Sequence, residues 1–191
     1  MKYTFFFPRL LVQSILLVIY ASFAFGANQL SEDEVQALKI IGKTLGKGWD
    51  FTADPCSEAS GWITPLTDSA VASNVTCGNC TTAGDDQICH VTSISLKAQN
   101  LAGTLPPELA RLPYLQIIDL SRNYLSGTIP REWGFLPLIT ISLVGNRLTG
   151  SIPIEIGNIS TLQSLMLRNC NLTGELPTHL AKLTDLKRLL V

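Results

Sequence analysis

A short motif, Leu-x-Gly-x-(Ile/Leu)-Pro, occurs four times between residues 101 and 177, and its spacing restricts the fold more than any other feature of the chain. An alternating aliphatic segment such as Ile118-Asp119-Leu120 precedes each motif. A fixed period of about 20 to 50 residues is typical of a solenoid, in which each unit packs on its neighbours. The period here is 24, 23 and 24 residues, as counted between the motif glycines Gly103, Gly127, Gly150 and Gly174.

The length of this unit and its leucines are those of a leucine-rich repeat. In each x-Leu-x-Leu-x segment the aliphatic side chains are expected to point inward and their neighbours outward, as in a β-strand. The predicted fold class is an α/β leucine-rich-repeat solenoid with short parallel strands on its concave face. Residues 90–191 would contain four units of this repeat and the start of a fifth. Trp133 occupies an aliphatic position and is predicted to lie in the core.

One position of each unit is polar although aliphatic residues surround it. The chain leaves the strand there, and an amide side chain can both donate to and accept from buried backbone groups. Cys170 offers only a weak donor at this position, so we predict a buried free thiol rather than a nucleophile. The predicted ladder of structural residues is Gln99, Asn123, Asn146 and Cys170.

Residues 1–26 have the features of a secretory signal peptide. A short basic start is followed by a mostly apolar run over residues 10–25, and Ala24-Phe25-Gly26 supplies small residues two apart. A retained signal anchor is the alternative. Gln13 and Ser14 interrupt the run, which leaves it shorter than the roughly 20 apolar residues of a membrane span.

Residues 27–89 are predicted to form an N-terminal capping domain. Ser31 and Glu34 fit a capping box at the start of an amphipathic helix, whose apolar face includes Leu38 and Ile41. Such a helix would cover the open end of the first repeat. The polar stretch from residue 49 to residue 88 is predicted to be irregular and to depend on covalent cross-links.

Four cysteines of this domain are predicted to form disulfides, because an exported chain meets an oxidising compartment. Of the three possible pairings we favour Cys56–Cys77 with Cys80–Cys89, and the other two stay open. A redox pair at Cys77 and Cys80 would need a strand–helix unit that does not follow them. A zinc site with His90 would have the spacing of no common zinc finger. No metal ion and no cofactor are predicted.

These residues resemble the N-terminus of plant leucine-rich-repeat receptor-like serine/threonine kinases, in particular the group with a malectin-like domain after the repeats. The resemblance is carried by Trp49-Asp50-Phe51, Asp54-Pro55-Cys56, Cys89-His90-Val91 and the run from Ile118 to Leu125. It implies an extracellular segment, on the outer side of the plasma membrane, that binds a peptide, carbohydrate or protein ligand and a co-receptor ectodomain. Contact with the membrane would be made only by segments outside this chain.

The chain ends at Leu189-Leu190-Val191, within the fifth predicted strand, so we predict no C-terminal cap and a truncated receptor. The alternative is a secreted, stand-alone repeat protein that inhibits an enzyme or contributes to the cell wall. The sequence contains no Gly-rich loop, His-Arg-Asp or Asp-Phe-Gly motif of a kinase, and no catalytic constellation surrounds His90 or His179. We therefore predict that this chain is not an enzyme.

The concave face is where solenoids bind their partners. The candidate ligand-binding residues are Asp119, Arg122, Met166 and Arg168. The alternative is that these side chains form a solvated face and that the ligand binds elsewhere. With 14 basic and 15 acidic residues and no basic block, the chain is not expected to bind nucleic acid. Four Asn-x-Ser/Thr sequons are predicted glycosylation sites, at Asn74, Asn79, Asn158 and Asn171.

Overall fold

The structure is a computed structural model that describes residues 28–57, 62, 73–83 and 86–191. The predicted signal peptide, residues 1–26, lies outside these residues. The N-terminal part contains β1 (Asn28–Leu30), α1 (Glu32–Leu45), β2 (Ser73–Ala83) and β3 (Asp86–Leu96).

The repeats add one short strand and one 3₁₀ helix per turn. The strands of the concave face are β4 (Ile117–Asp119), β6 (Thr140–Ser142), β8 (Ser164–Met166) and β9 (Arg188–Leu190). On the return side lie the 3₁₀ helices Pro107–Arg111, Arg131–Phe135, Ile154–Asn158 and Thr178–Lys182. Between the two sides, β5 (Ser126–Gly127) and β7 (Arg147–Leu148) form a small second sheet.

The concave strands form one sheet in the order β1-β3-β4-β6-β8-β9, and each of these neighbouring pairs is parallel. The register places the central aliphatic residues Ile94, Ile118, Ile141 and Leu165 beside one another. All four are at most 1% exposed, since each faces the shared interior of the coil. The predicted α/β leucine-rich-repeat solenoid is confirmed, and Trp133 is fully buried.

Helix α1 begins after Ser31 as expected, but the predicted capping box is wrong. Ser31 makes no side-chain cap hydrogen bond, and Glu34 does not turn back toward the first turn. Glu34 is 2% exposed: its Oε2 accepts the Val91 N–H at 2.8 Å, and its Oε1 lies 2.5 Å from His90 Nδ1. The Glu34 carboxylate accepts from Val91 on β3 instead of from the Ser31 amide, because the Val91 amide is buried and needs an acceptor.

The contact of Glu34 with β3 predicts that Glu34→Ala lowers the free energy of unfolding by about 2 kcal/mol, because the Val91 N–H would lose its buried acceptor. Urea unfolding followed by circular dichroism measures the change. Glu34→Gln is the matched control, since its amide oxygen can still accept from Val91. We expect Glu34→Gln to lower the free energy of unfolding by less than half as much as Glu34→Ala does. Equal losses for the two variants would contradict this role of the acceptor.

The segment predicted to be irregular contains a long antiparallel hairpin. Each of β2 and β3 has 11 residues, and they pair from Ser73 opposite Leu96 to Ala83 opposite Asp86, with two register shifts. The prediction failed because the polar composition of β2 gives no sign that it pairs with β3. The favoured disulfides are confirmed: Cys56 is bonded to Cys77, and Cys80 to Cys89. Strand β3 also crosses the domain boundary predicted at residue 89.

Asn123 and Asn146 bridge successive turns with their side chains. Asn123 Oδ1 accepts from the Gln99 N–H (2.9 Å) and the Leu101 N–H (3.1 Å), while its Nδ2 donates to the Leu96 and Leu120 carbonyls. Asn146 repeats the pattern one turn later with Leu125, Leu120 and Leu143. Gln99 is the first residue of this ladder. Lys47 Nζ donates to Gln99 Oε1 at 3.1 Å, which links the ladder to the segment that follows α1.

Cys170 occupies the same position in the fourth unit with a weaker interaction. It is a free, partly buried cysteine whose Sγ donates to the Leu143 carbonyl at 3.3 Å. Burial raises the pKa of the Cys170 thiol above its ordinary value, which disfavours the reactive thiolate near neutral pH.

We therefore expect Cys170→Asn to raise the free energy of unfolding by about 1 kcal/mol, because an amide can both donate to the Leu143 carbonyl and accept from a backbone N–H. Equilibrium unfolding in urea measures the gain. Cys170→Ser, which keeps the size but has one polar atom where the amide has two, should change stability by less than about 0.5 kcal/mol. A destabilised asparagine variant would show that the fourth turn cannot accommodate the amide.

Candidate functional site

Two rows of side chains cross the concave sheet and face away from its core. The first row joins Ser93, Ile117, Thr140, Ser164 and Arg188, and the second joins Ser95, Asp119, Ser142, Met166 and Leu190. Neighbouring strands of a sheet are about 4.8 Å apart, so each row presents a regular series of side chains over five turns. These rows form the surface on which an extended partner could lie.

The structure places the four candidate ligand-binding residues at different points of this face. Asp119 and Met166 share the second row, with Ser142 between them, which puts them about 10 Å apart. Asp119 is partly buried, and its Oδ1 accepts the Ser121 N–H at 3.0 Å. Arg168 is exposed two residues beyond Met166, on the same outward side.

Arg122 lies beyond the end of β4 rather than on the strand. Its φ of +57° is in the left-handed region, and its N–H donates to the Val144 carbonyl at 2.7 Å. The corresponding residues Ala98, Gly145 and Asn169 also have positive φ values. The side chain of Arg122 is exposed, but it belongs to the turn that follows the strand and to neither of the two rows.

A groove of about 290 Å³ lies at the last turns of the concave face, and we call it the concave groove. Ile139 and Met166 contribute apolar surface, and Lys187 and Arg188 contribute two cations. Thr140, Gln163 and Ser164 complete its lining. Lys187 and Arg188 were not among the predicted residues, although Arg188 follows Ser164 by the 24 residues of the repeat.

The return side carries a second depression of about 360 Å³, lined by Arg131, Glu132, Phe135 and Glu155. Phe135 is 79% exposed there. Arg131 Nε lies 3.6 Å from Glu132 Oε1, which leaves Glu155 as the charged side chain of this lining that lies outside an ion pair. Within the described ranges, no group of three or more His, Cys, Asp or Glu side chains could hold a metal ion.

The sequons differ in access. Asn158 and Asn171 are exposed, at the end of a 3₁₀ helix and beside β7 respectively. Asn79 is exposed with a φ of +48° and is followed directly by the disulfide-bonded Cys80, while Asn74 on β2 is partly buried. Glycosylation of all four stays a prediction. Of the helices in the described residues, none is both long enough and apolar enough to cross a membrane.

Comparison with known proteins places this fold among described families. The family Leucine Rich Repeat matches residues 114–136, 137–159 and 161–183. A probable leucine-rich repeat receptor-like serine/threonine-protein kinase of Arabidopsis thaliana is 44% identical over 181 residues, which is 93% of this chain and 17% of that protein. This chain thus spans about one sixth of the length of that relative.

Two solved structures from Arabidopsis thaliana extend the comparison. A chain in the crystal structure of the BIR3–SERK2 complex is 34% identical, with a TM-score of 0.61 over 82% of this chain and 79% of that one. The ectodomain of the membrane receptor kinase GASSHO1/SCHENGEN3, in complex with CASPARIAN STRIP INTEGRITY FACTOR 2, is 29% identical, with a TM-score of 0.56 over 68% of this chain and 16% of that one.

The repeats, the parallel concave sheet and the disulfide-linked N-terminal part define a leucine-rich-repeat ectodomain. The likeness to receptor kinases covers nearly the whole sequence and includes the N-terminal part as well as the repeats. The chain belongs to the family of plant leucine-rich-repeat receptor-like serine/threonine kinases, and its likeness is to the repeat segments of these proteins. A malectin-like domain after the repeats stays a prediction.

Proposed function

We propose that this chain is the ligand- or partner-binding repeat segment of a receptor-like kinase and that it acts on the extracellular side of the plasma membrane. The observation that carries the proposal is the concave sheet, whose two outward rows keep their register over five turns. Solenoids bind partners on such extended surfaces. The two disulfides also suit an oxidising compartment outside the cytosol.

Relatives support a proteinaceous partner. The 34% identical chain belongs to a complex named for two proteins, BIR3 and SERK2, and the 29% identical ectodomain is in complex with a separate factor. By analogy we propose a peptide or protein ligand for this segment, together with a co-receptor ectodomain. Kinase activity would reside in another part of the receptor, because the sequence of this chain contains no kinase motif.

The experiment that tests this proposal expresses the full chain, with a C-terminal epitope tag, in plant cells. We expect the tag to be recovered outside the cell, with a mass that falls after treatment with a glycan-removing enzyme. A chain that stays in the cytosol without glycans would overturn the extracellular assignment.

A second arm fuses the chain to the membrane span and kinase of its 44% identical relative and measures phosphorylation after addition of apoplastic fluid. We expect a response that Asp119→Lys combined with Arg168→Glu reduces at least about fivefold, because both of these charges on the concave face are reversed. Asp185→Lys combined with Lys182→Glu, outside the two rows, is the matched control. A response that is insensitive to the concave variant would show that the ligand binds elsewhere on the chain, and a fusion that gives no response at all would favour the alternative, a secreted protein that works without a kinase.

A further inference from the structure

We propose that the concave groove binds an extended acidic peptide segment of the partner, with Lys187 and Arg188 pairing with its carboxylates. The proposal rests on the proposed function in one respect, namely that this face meets a partner. It goes further in assigning the place, the residues and the chemical class of the ligand.

The charge around the groove has one sign. Lys187 and Arg188 line it, and Arg168 is exposed on the same face two residues beyond Met166. No carboxylate is among the lining residues. Within the described part of the chain, ion pairs occur only between His90 and Glu34 and between Arg131 and Glu132, so these three cations have no internal counter-charge. A ligand that supplies carboxylates would give these cations their ion-pair partners.

The hydrogen-bonding groups of the groove are mainly donors. Lys187 Nζ donates to Gln163 Oε1 at 3.2 Å and retains further N–H groups for a ligand. The guanidinium of Arg188 has five N–H donors that match a carboxylate in a fork. Ser164 Oγ, in the same lining, is hidden from solvent and has no hydrogen-bond partner. Such unpartnered groups are rare in folded proteins, and this hydroxyl could donate to a ligand only if its side chain turned toward the groove.

The shape and lining favour a peptide over a sugar. Met166 and Ile139 provide flexible and branched aliphatic surface, which suits the alternate side chains of an extended peptide. No aromatic ring lines the groove, so a sugar ring would find no flat face to stack on. The depression on the return side is a weaker candidate for an acidic ligand, because Glu132 and Glu155 line it beside a single arginine.

The test selects peptides from a random twelve-residue phage-displayed library on the purified, immobilised chain. The groove variant combines Lys187→Gln with Arg188→Gln, and the matched control combines Arg111→Gln with Arg131→Gln, which removes the same charge from the return side. Thermal unfolding of all three proteins establishes that they are folded. We expect aspartate and glutamate to be enriched at least about threefold in the peptides selected on the unmodified chain.

A selected acidic peptide should bind the groove variant at least about tenfold more weakly and the control variant less than about threefold more weakly. Binding should also weaken when NaCl is raised from about 50 mM to about 500 mM, because exposed charges are screened. Selected peptides without acidic enrichment, or equal binding to all three proteins, would overturn the proposal. Oligogalacturonate that binds in a groove-dependent way, without acidic peptides doing so, would overturn it in favour of an acidic sugar.

These outcomes are separate from those of the proposed function. The selection uses only the purified chain, whereas the extracellular assignment is tested by location and glycosylation in plant cells. Peptides that bind the concave face at Asp119 rather than at Arg188 would agree with the proposed function, but they would refute the proposal that the concave groove is the binding site.

Discussion

Asn123→Ala is expected to lower the free energy of unfolding by about 4 kcal/mol, the largest effect that we expect from loss of one side chain. Asn123 is 4% exposed, and its amide satisfies two backbone N–H groups and two carbonyls on neighbouring turns. Alanine would leave these groups without partners where water cannot easily replace the amide. Each buried unsatisfied group costs about 1 to 3 kcal/mol, and partial relaxation should limit the sum.

Urea unfolding of the purified protein, followed by circular dichroism, measures this loss. Asn146→Ala is the graded comparison, because Asn146 makes one accepted and two donated hydrogen bonds and should cost about 3 kcal/mol. Asn123→Asp tests the donors alone, since a carboxylate accepts but cannot donate. A loss below about 1 kcal/mol for Asn123→Ala would show that the ladder contributes little to stability.

Gly103→Ala is expected to destabilise the protein by about 3 kcal/mol through a backbone clash. A Cβ atom at Gly103 would lie 1.9 Å from the Thr44 carbonyl oxygen and 2.8 Å from the Leu45 carbonyl carbon, near the C-terminal end of α1. The neighbouring Thr104 N–H donates to the same Thr44 oxygen at 3.1 Å. Only a movement of α1 away from the first repeat relieves this overlap, and that movement breaks the hydrogen bond and opens the packing.

Two glycines serve as controls for this substitution. Gly127 holds the same motif position one turn later, but its φ is +81° and a Cβ there would meet Thr104 at an ordinary 3.5 Å. Gly127→Ala should therefore cost about 1 to 2 kcal/mol from backbone strain alone. Gly48→Ala meets no heavy atom within 4 Å and should change stability by less than about 0.5 kcal/mol. If Gly103→Ala resembled Gly48→Ala, close docking of α1 on the repeats would be refuted.

The glycine position of the motif is thus needed for different physical reasons in different turns, which the sequence does not distinguish. Gly103 and Gly127 occupy equivalent positions, yet Gly103 is required by the close approach of α1 and Gly127 by its left-handed backbone. Likewise, Glu34 fits a capping box by its spacing, whereas the structure turns its carboxylate toward His90 and Val91. Local patterns describe what a residue can do, and tertiary neighbours decide which possibility is used.

The concave groove illustrates the same limit for the candidate site. The outward positions of Met166 and Arg168 follow from alternation along a strand, so they were accessible to prediction. Lys187 and Arg188 join Met166 only because the fifth strand pairs with the fourth in a particular register. Alternation predicts which side chains face outward, but it does not predict where the surface is concave or which charges lack a partner.

The sequence by itself determined the repeat, its inward aliphatic positions and the solenoid that they build, because every unit with this pattern buries its side chains against its neighbours in the same way. It also favoured the disulfide pairing that the structure contains. Only the tertiary structure decided the long β2–β3 hairpin, the partners of Glu34 and the cationic groove. These depend on contacts between residues far apart in the chain, whose energies no local pattern records.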